Sequence, residues 1–242
     1  MQAAGLSHIG KIRSQNQDSI FICESTIGLL PNLFVVADGM GGHNGGDVAS
    51  NLAVETLALY AKFHTPSDLL EILINGAEKA NEVIFTNSKL NPDLYGMGTT
   101  LSACVIDGDN LVITHIGDSR IYCINKTEIK QITDDHSYVW KLLAAGKITK
   151  EQAKVHPRRN VLTKVLGTAG KCEPDSFIHP VGDTESVLIC SDGLTNMLDD
   201  EIIAELTAKE GLPIDRVQNL VDEANNRGGF DNISVILVDL WR

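Results

Sequence analysis

Leu33-Phe34-Val35-Val36-Ala37-Asp38-Gly39 is a short apolar run that ends on an acid and a glycine. Its length and β-branched content read as a buried strand, not a helix. An acid at the end of such a strand sits at the edge of a rigid sheet. The glycine after it lets the backbone turn sharply and exposes its own carbonyl. The same pattern returns at Val187-Leu188-Ile189-Cys190-Ser191-Asp192-Gly193.

Further runs of this kind lie at Leu101–Ile106, Leu111–Ile116, Ile121–Ile124 and Ile233–Leu237, with another strand at Ser19–Cys23. Asp107-Gly108-Asp109-Asn110 reads as a hairpin turn between two of them. Strand follows strand directly between residues 101 and 131, which predicts antiparallel pairing and not a repeating βαβ pattern. Helical periodicity fills the gaps. One helix is expected from Asp47 to Ala61, with Leu52, Ala53 and Leu57 inward. A second is expected after Thr65-Pro66-Ser67-Asp68, with Thr65 as N-cap, Pro66 at the first position and Asp68 as an early acid. Its inward positions are Leu69, Ile72, Leu73, Ala77, Ala80 and Ile84. A third starts at Asp199-Asp200-Glu201, and a fourth runs from about Ile214 to Asn226 and stops at Gly228-Gly229. The segment at about 134–164 is more polar, carries a Thr149–Gln152 capping box, and reads as a small helical insertion on one domain spanning 1–242. No repeat or flexible linker is visible.

The formal net charge of −12 argues against a sequence-independent nucleic-acid binder, which needs a basic face. The five cysteines form no C-x-x-C pair, and Cys104, Cys123 and Cys190 lie in apolar runs, as expected of reduced core thiols. No secretory signal and no membrane-length apolar stretch is visible, so a cytoplasmic protein is expected. Gly5-x-x-x-x-Gly10-Lys11 imitates a phosphate-binding loop but continues with Ile12 where a Ser or Thr is required. The histidines show no zinc-ligand spacing.

Taken singly, each Asp-Gly is ordinary turn chemistry. Here Asp18, Asp38, Asp118, Asp192 and Asp231 all fall at strand edges, several beside glycine. If these strands share one sheet pair, the acids can converge. Converged carboxylates repel, and a divalent cation removes that penalty. All-oxygen ligands select Mg²⁺, Mn²⁺ or Ca²⁺ over Zn²⁺.

Six motifs then occur in order: Arg13-x-x-Asn16-Gln17-Asp18, Val36-Ala37-Asp38-Gly39-Met40-Gly41-Gly42-His43, Gly96-Met97-Gly98-Thr99-Thr100, Gly117-Asp118-Ser119-Arg120, Ser191-Asp192-Gly193-Leu194 and Asp231-Asn232-Ile233-Ser234. Together they resemble the bacterial branch of the PP2C (PPM) phosphatases over nearly the whole chain. The resemblance implies an α+β fold, two packed antiparallel β-sheets flanked by α-helices. It implies a metal-dependent protein serine/threonine phosphatase using two Mn²⁺ or Mg²⁺ ions, with a third, weaker ion. By the same match Asp38 bridges two metals and the Gly39 carbonyl binds one of them, while Asp192 and Asp231 ligate the other. Asp18 is a further acidic site residue, and Asp118 shares the weaker ion with Asp192. Arg13 holds the substrate phosphate, His43 protonates the leaving alcohol, and the insertion at about 134–164 is a flap beside the site.

The expected partners are phosphoproteins made by a Ser/Thr kinase, with no nucleic acid and no membrane, and the chain is expected to be a monomer. Thr99 and Thr100 are assigned no chemistry, and Arg158 and Arg159 read as solvated charge. Two alternatives stay open: a non-catalytic binding module on the same fold, and a phosphatase of other phosphoesters.

Overall fold

Leu33, Val35 and Ala37 face one apolar core, and Phe34 and Val36 face another. The run is therefore apolar at every position and not at every second one, because both faces of its sheet are covered. The computed structural model describes residues 1–41, 45–64 and 68–240. The strands are β1 (Gln2–His8), β2 (Asp18–Cys23), β3 (Leu33–Met40), β4 (Gly98–Thr99), β5 (Leu101–Asp107), β6 (Asn110–Ile116), β7 (Arg120–Ile124), β8 (Ile129–Gln131), β9 (Asp175–Pro180), β10 (Ser186–Cys190) and β11 (Ile233–Asp239). The helices are α1 (Gly46–Phe63), α2 (Leu69–Leu90), α3 (Tyr138–Ala144), α4 (Lys150–Lys154), α5 (Asp192–Thr195), α6 (Asp200–Thr207) and α7 (Pro213–Asn226).

Two antiparallel sheets form, one in the order β1-β11-β10-β7-β8 and one in the order β2-β3-β5-β6-β9, with β4 beside β3. Between them lies a core that includes Phe34, Val36, Cys104 and Ile113 from one sheet and Ile121, Val187, Ile189, Ile236 and Val238 from the other. Helices α1 and α2 cover the outer face of the second sheet through Ala53, Leu57, Ile72, Leu73 and Ile84. Helices α6 and α7 cover the first through Ile203, Val217, Leu220 and Val221. Each fully buried Leu or Ile contributes about 1.5–3 kcal/mol. The result is the expected helix–sheet–sheet–helix sandwich.

The hairpin turn is present, with Asp107 opposite Asn110. The Thr149–Gln152 capping box forms in full and opens α4. One helix start differs from expectation. Helix α2 is capped by Asp68, whose carboxylate accepts from Leu70 N–H at 3.1 Å, so Asp68 is the cap and not an acid inside a helix begun at Thr65. Thr65, Pro66 and Ser67 lie outside the described residues. The Gly5–Lys11 pattern is not a phosphate loop, and Gly5 is a residue of strand β1. All five cysteines are free thiols. Among the described residues, no helix is long and apolar enough to cross a membrane.

Candidate metal centre

Strands β2 and β3 pair so that Asp18 stands opposite Asp38. The backbone of Asp38 is held on both sides. Its N–H donates to Thr100 Oγ1 at 2.9 Å. Its carbonyl accepts from Thr100 N–H and from Thr99 Oγ1, each at 2.9 Å. Gly39 follows in a position closed to any side chain, because a Cβ there would lie 2.0 Å from Gly46 O and 2.5 Å from Gln17 O. From the other sheet, β10 ends at Cys190 and Asp192 opens α5. Asp231 precedes β11, and Asp118 lies in the link from β6 to β7.

Side chains join the two sheets at this edge. Ser191 Oγ donates to Asp18 Oδ2 at 2.8 Å. Gln17 N–H donates to Asn232 Oδ1 at 2.8 Å. Asn232 Nδ2 in turn donates to the carbonyls of Ile9 and Gln15, each at 2.9 Å, and so fixes the loop that carries Arg13. Thr100 Oγ1 also lies 2.8 Å from Ser119 Oγ, which ties the Asp38 backbone to the neighbour of Asp118.

The acids are close enough to disturb one another. Burial, then the Asp18, Asp192, Asp118 and Asp231 charges, push the Asp38 carboxyl well above the usual carboxylate range. Asp18 is raised to about 7, first by burial and then by Asp192 and Asp231, against hydrogen bonds from Ser234 and Ser191. Asp192 is raised to about 6 by burial and by Asp231, against hydrogen bonds with Asp38 and Asn196. Asp118 is also raised, by burial, Asp192 and Asp135, with Arg120 opposing. Asp18 is buried, whereas the other four acids keep some exposure, so the cluster is open to solvent on one side.

Two buried oxygens, Asp18 Oδ1 and Asp192 Oδ1, have no hydrogen-bond partner among the described residues. A buried acceptor without a donor is costly, and a hard cation supplies what is missing. The residues therefore fit a divalent ion held by oxygen. Among the described residues no three His, Cys, Asp or Glu side chains close into a compact metal cage.

Of the other expected site residues, Arg13 reaches this edge, its Nη2 donating to Asp231 Oδ2 at 2.8 Å. His43 lies outside the described residues. Arg158 lies over the ring of Tyr138, 5.2 Å from its centroid, and makes a solvent-side contact. Thr99, Thr100, Ser191 and Asn232 were given no role by sequence reasoning, yet they fix Asp38, Asp18 and the Arg13 loop. Their only signal was adjacency to the acids within the same motifs.

A family model described as protein phosphatase 2C matches residues 4–210. The serine/threonine phosphatase stp of Listeria welshimeri serovar 6b is 38% identical over 238 residues, covering 95% of this chain and 92% of its own length. The crystal structure of the serine/threonine phosphatase Stp1 from Staphylococcus aureus superposes with a TM-score of 0.94 at 34% identity, covering 100% of this chain and 95% of that one. The catalytic domain of the serine threonine protein phosphatase PstP, in complex with 2 manganese ions, superposes with a TM-score of 0.85 at 34% identity, covering 98% of this chain and 97% of that one. The chain belongs to the protein phosphatase 2C family and is a serine/threonine phosphatase of the bacterial type.

Proposed function

We propose that this chain removes phosphate from phosphoserine and phosphothreonine in proteins, at a centre where its acids hold two Mn²⁺ or Mg²⁺ ions. The observation that carries this reading is the gathering of Asp18, Asp38, Asp118, Asp192 and Asp231 from both sheets, with two buried carboxylate oxygens lacking donors among the described residues. Asp38, which feels the other four acids, would be the residue that holds both ions. The Gly39 carbonyl would add to one ion, and Asp192 and Asp231 would hold the other. Asp18 shapes the centre through its paired position, and Asp118 with Asp192 takes a third, weaker ion. When bound, the cations supply an attacking water at neutral pH and neutralise phosphoryl oxygens.

The remaining work falls to the chain's own side chains. Arg13 is half-exposed and offers a planar fork for two phosphate oxygens; its pairing with Asp231 keeps it beside the centre until substrate arrives. His43 is assigned the proton for the departing serine or threonine hydroxyl. The segment at 134–164 borders the site as a flap. The free thiols fit a reducing compartment such as the cytoplasm, where a Ser/Thr kinase would supply the substrates, and the chain is taken as a monomer.

Turnover of p-nitrophenyl phosphate tests the metal requirement. Activity is expected with Mn²⁺ or Mg²⁺ and not with EDTA. Full activity in chelator overturns the metal reading. Turnover of a phosphothreonine peptide tests the substrate class, and activity on p-nitrophenyl phosphate alone overturns it.

A further inference from the structure

The loop between β1 and β2 meets the loop before β11 through a glycine. Gly10 has φ +80, and a Cβ there would lie 2.1 Å from Asp231 O and 2.8 Å from Gly229 O. Only glycine permits so close an approach of two backbones. Beside it the Lys11 N–H donates to Gly229 O at 2.7 Å. The Arg13 guanidinium then reaches Asp231 across the same join. Asn232 Nδ2 holds Ile9 O and Gln15 O, so the stretch between them is displayed outward from two fixed ends.

Each member of the Arg13–Asp231 pair follows a large apolar residue. Ile12 is 66% exposed and Phe230 is 60% exposed. The Phe230 ring folds back on its own loop, because a Cβ on Gly228 would lie 2.8 Å from ring atom Cε2 and 2.9 Å from Cζ. Gly228, which ends α7 in the sequence reading, also leaves room for this ring. The loop is anchored to the helix, since the Gly228 N–H donates to Asn225 O and the Gly229 N–H to Ala224 O, each at 3.1 Å. The ring therefore rests on fixed, bare backbone and stays open to solvent.

Single exposed apolar side chains are ordinary. These two differ in their setting. They stand on bonded loops, beside the side chain assigned to the substrate phosphate, at the rim of the acid cluster. The neighbouring Lys11 and Arg13 are cations, which suits an incoming phosphate and not a second copy of a chain of net charge −12. An extended peptide advances about 3.3–3.6 Å per residue, so residues one or two places from a phosphoresidue held at Arg13 pass over its chain neighbours.

We infer that Ile12 and Phe230 form an apolar seat for a side chain that flanks the phosphoresidue, so the enzyme prefers phosphopeptides with a large aliphatic or aromatic residue close to the phosphothreonine. This rests on the proposed action on phosphopeptides and on Arg13 as the grip on their phosphate.

Steady-state kinetics on synthetic phosphothreonine peptides test the seat. The peptides are rich in Ser and Gly, and each carries Leu or Ser at one of the positions flanking the phosphothreonine. At the seated position kcat/KM is expected to be about tenfold higher for Leu than for Ser, the size of a few buried methylenes, and the difference falls in KM. Phe230→Ser and Ile12→Ser are each expected to cut that preference to about threefold or less, and the double variant to about unity. Phe63→Ser removes a side chain that is also 66% exposed, at the end of α1 away from Gly39, and is expected to keep the preference.

Equal turnover of Leu and Ser peptides by the wild type at every position overturns the seat. So does a double variant that keeps the preference, or that loses equally on both kinds of peptide. Either single variant with the full preference removes that residue from the seat. A wild-type dimer in sedimentation that Phe230→Ser dissociates assigns the surface to a second copy and overturns the seat. No turnover of any phosphothreonine peptide overturns the proposed substrate class and the seat together.

Discussion

Two Asp-Gly pairs with nearly the same local sequence end in different structures. In Val36-Ala37-Asp38-Gly39 the strand runs on through the pair to Met40. In Cys190-Ser191-Asp192-Gly193 the strand stops at Cys190 and the pair opens a helix. The difference comes from neighbours. Asp38 has Asp18 across from it on one side, and Gly39 has Thr99 on the other, so the ladder continues. After Cys190 the Ser191 N–H bonds to Ser234 O, and Ser191 Oγ turns to Asp18 and accepts from Ser234 N–H, which closes the ladder. Asp38 thus enters the cluster on a rigid strand and feels four other acids, while Asp192 enters at a helix start with Asn196 as a donor at 3.0 Å. The same dipeptide can carry a central or a flanking carboxylate, and only the surrounding strands decide which.

This contrast is sharpest in activity. Asp38→Asn should lower Mn²⁺-supported turnover by about 10³-fold or more, since on the proposed role of Asp38 several kcal/mol of charge stabilisation depend on it. Asp192→Asn should cost less, about 10²-fold, because on the proposed reading it removes a flanking ligand. Steady-state kinetics check both, and a reversed order breaks the comparison. Neither change should lower the thermal midpoint of the metal-free protein, because each removes one of several repelling charges.

Arg13→Ala should reduce kcat/KM by about 10–100-fold, matching the loss of a hydrogen bond to a charged group at about 1.5–3 kcal/mol. The loss should fall on phosphorylated substrates and leave calorimetric Mn²⁺ binding nearly intact.

The two glycines offer a stability test. A Cβ at Gly39 meets two rigid carbonyls, at 2.0 and 2.5 Å, whereas one at Gly193 meets Asn232 O at 1.9 Å. Each Gly→Ala change should cost about 1–3 kcal/mol in urea unfolding, with Gly39 the more costly. Equal or inverted costs would mean that the strand and helix settings do not differ in rigidity.

The smallest effect is a pH dependence. Asp18 is raised to about 7 and Asp192 to about 6, each from an ordinary value of 3.8. The folded chain therefore binds more protons than the unfolded chain between those values, and metal-free stability falls as pH rises from about 4 to about 7. Mn²⁺ competes with those protons, so its thermal stabilisation should be several degrees larger at about pH 7.5 than at about pH 5. A Mn²⁺ shift independent of pH would remove the acids from the binding site.

The buried strands were legible because both their faces are covered, which leaves continuous Val- and Ile-rich runs. Strand β1 was not. Gln2-Ala3-Ala4-Gly5-Leu6-Ser7-His8 has no apolar alternation and is half-buried throughout, and it is a strand because it pairs residue for residue with β11. Strand β9 is similar, an edge strand held by β6. The segment at 134–164 showed its capping box but not its anchoring. Asp135 forms a two-pronged pair with Arg120 at 2.7 and 2.8 Å, which no local pattern announces.

By itself the sequence determined the chemistry of the centre. Carboxylates at strand edges, beside glycines, are local facts of residue type and spacing. The ordered motifs added the family and the substrate class. Only the tertiary structure decided which acids meet and how unequal they are. Meeting requires two sheets to pack with their edges aligned, through Ser191 on Asp18 and Asn232 on Gln17, across about two hundred residues of chain. The electrostatic cost of the meeting is likewise a property of burial and proximity, which no single stretch of sequence contains.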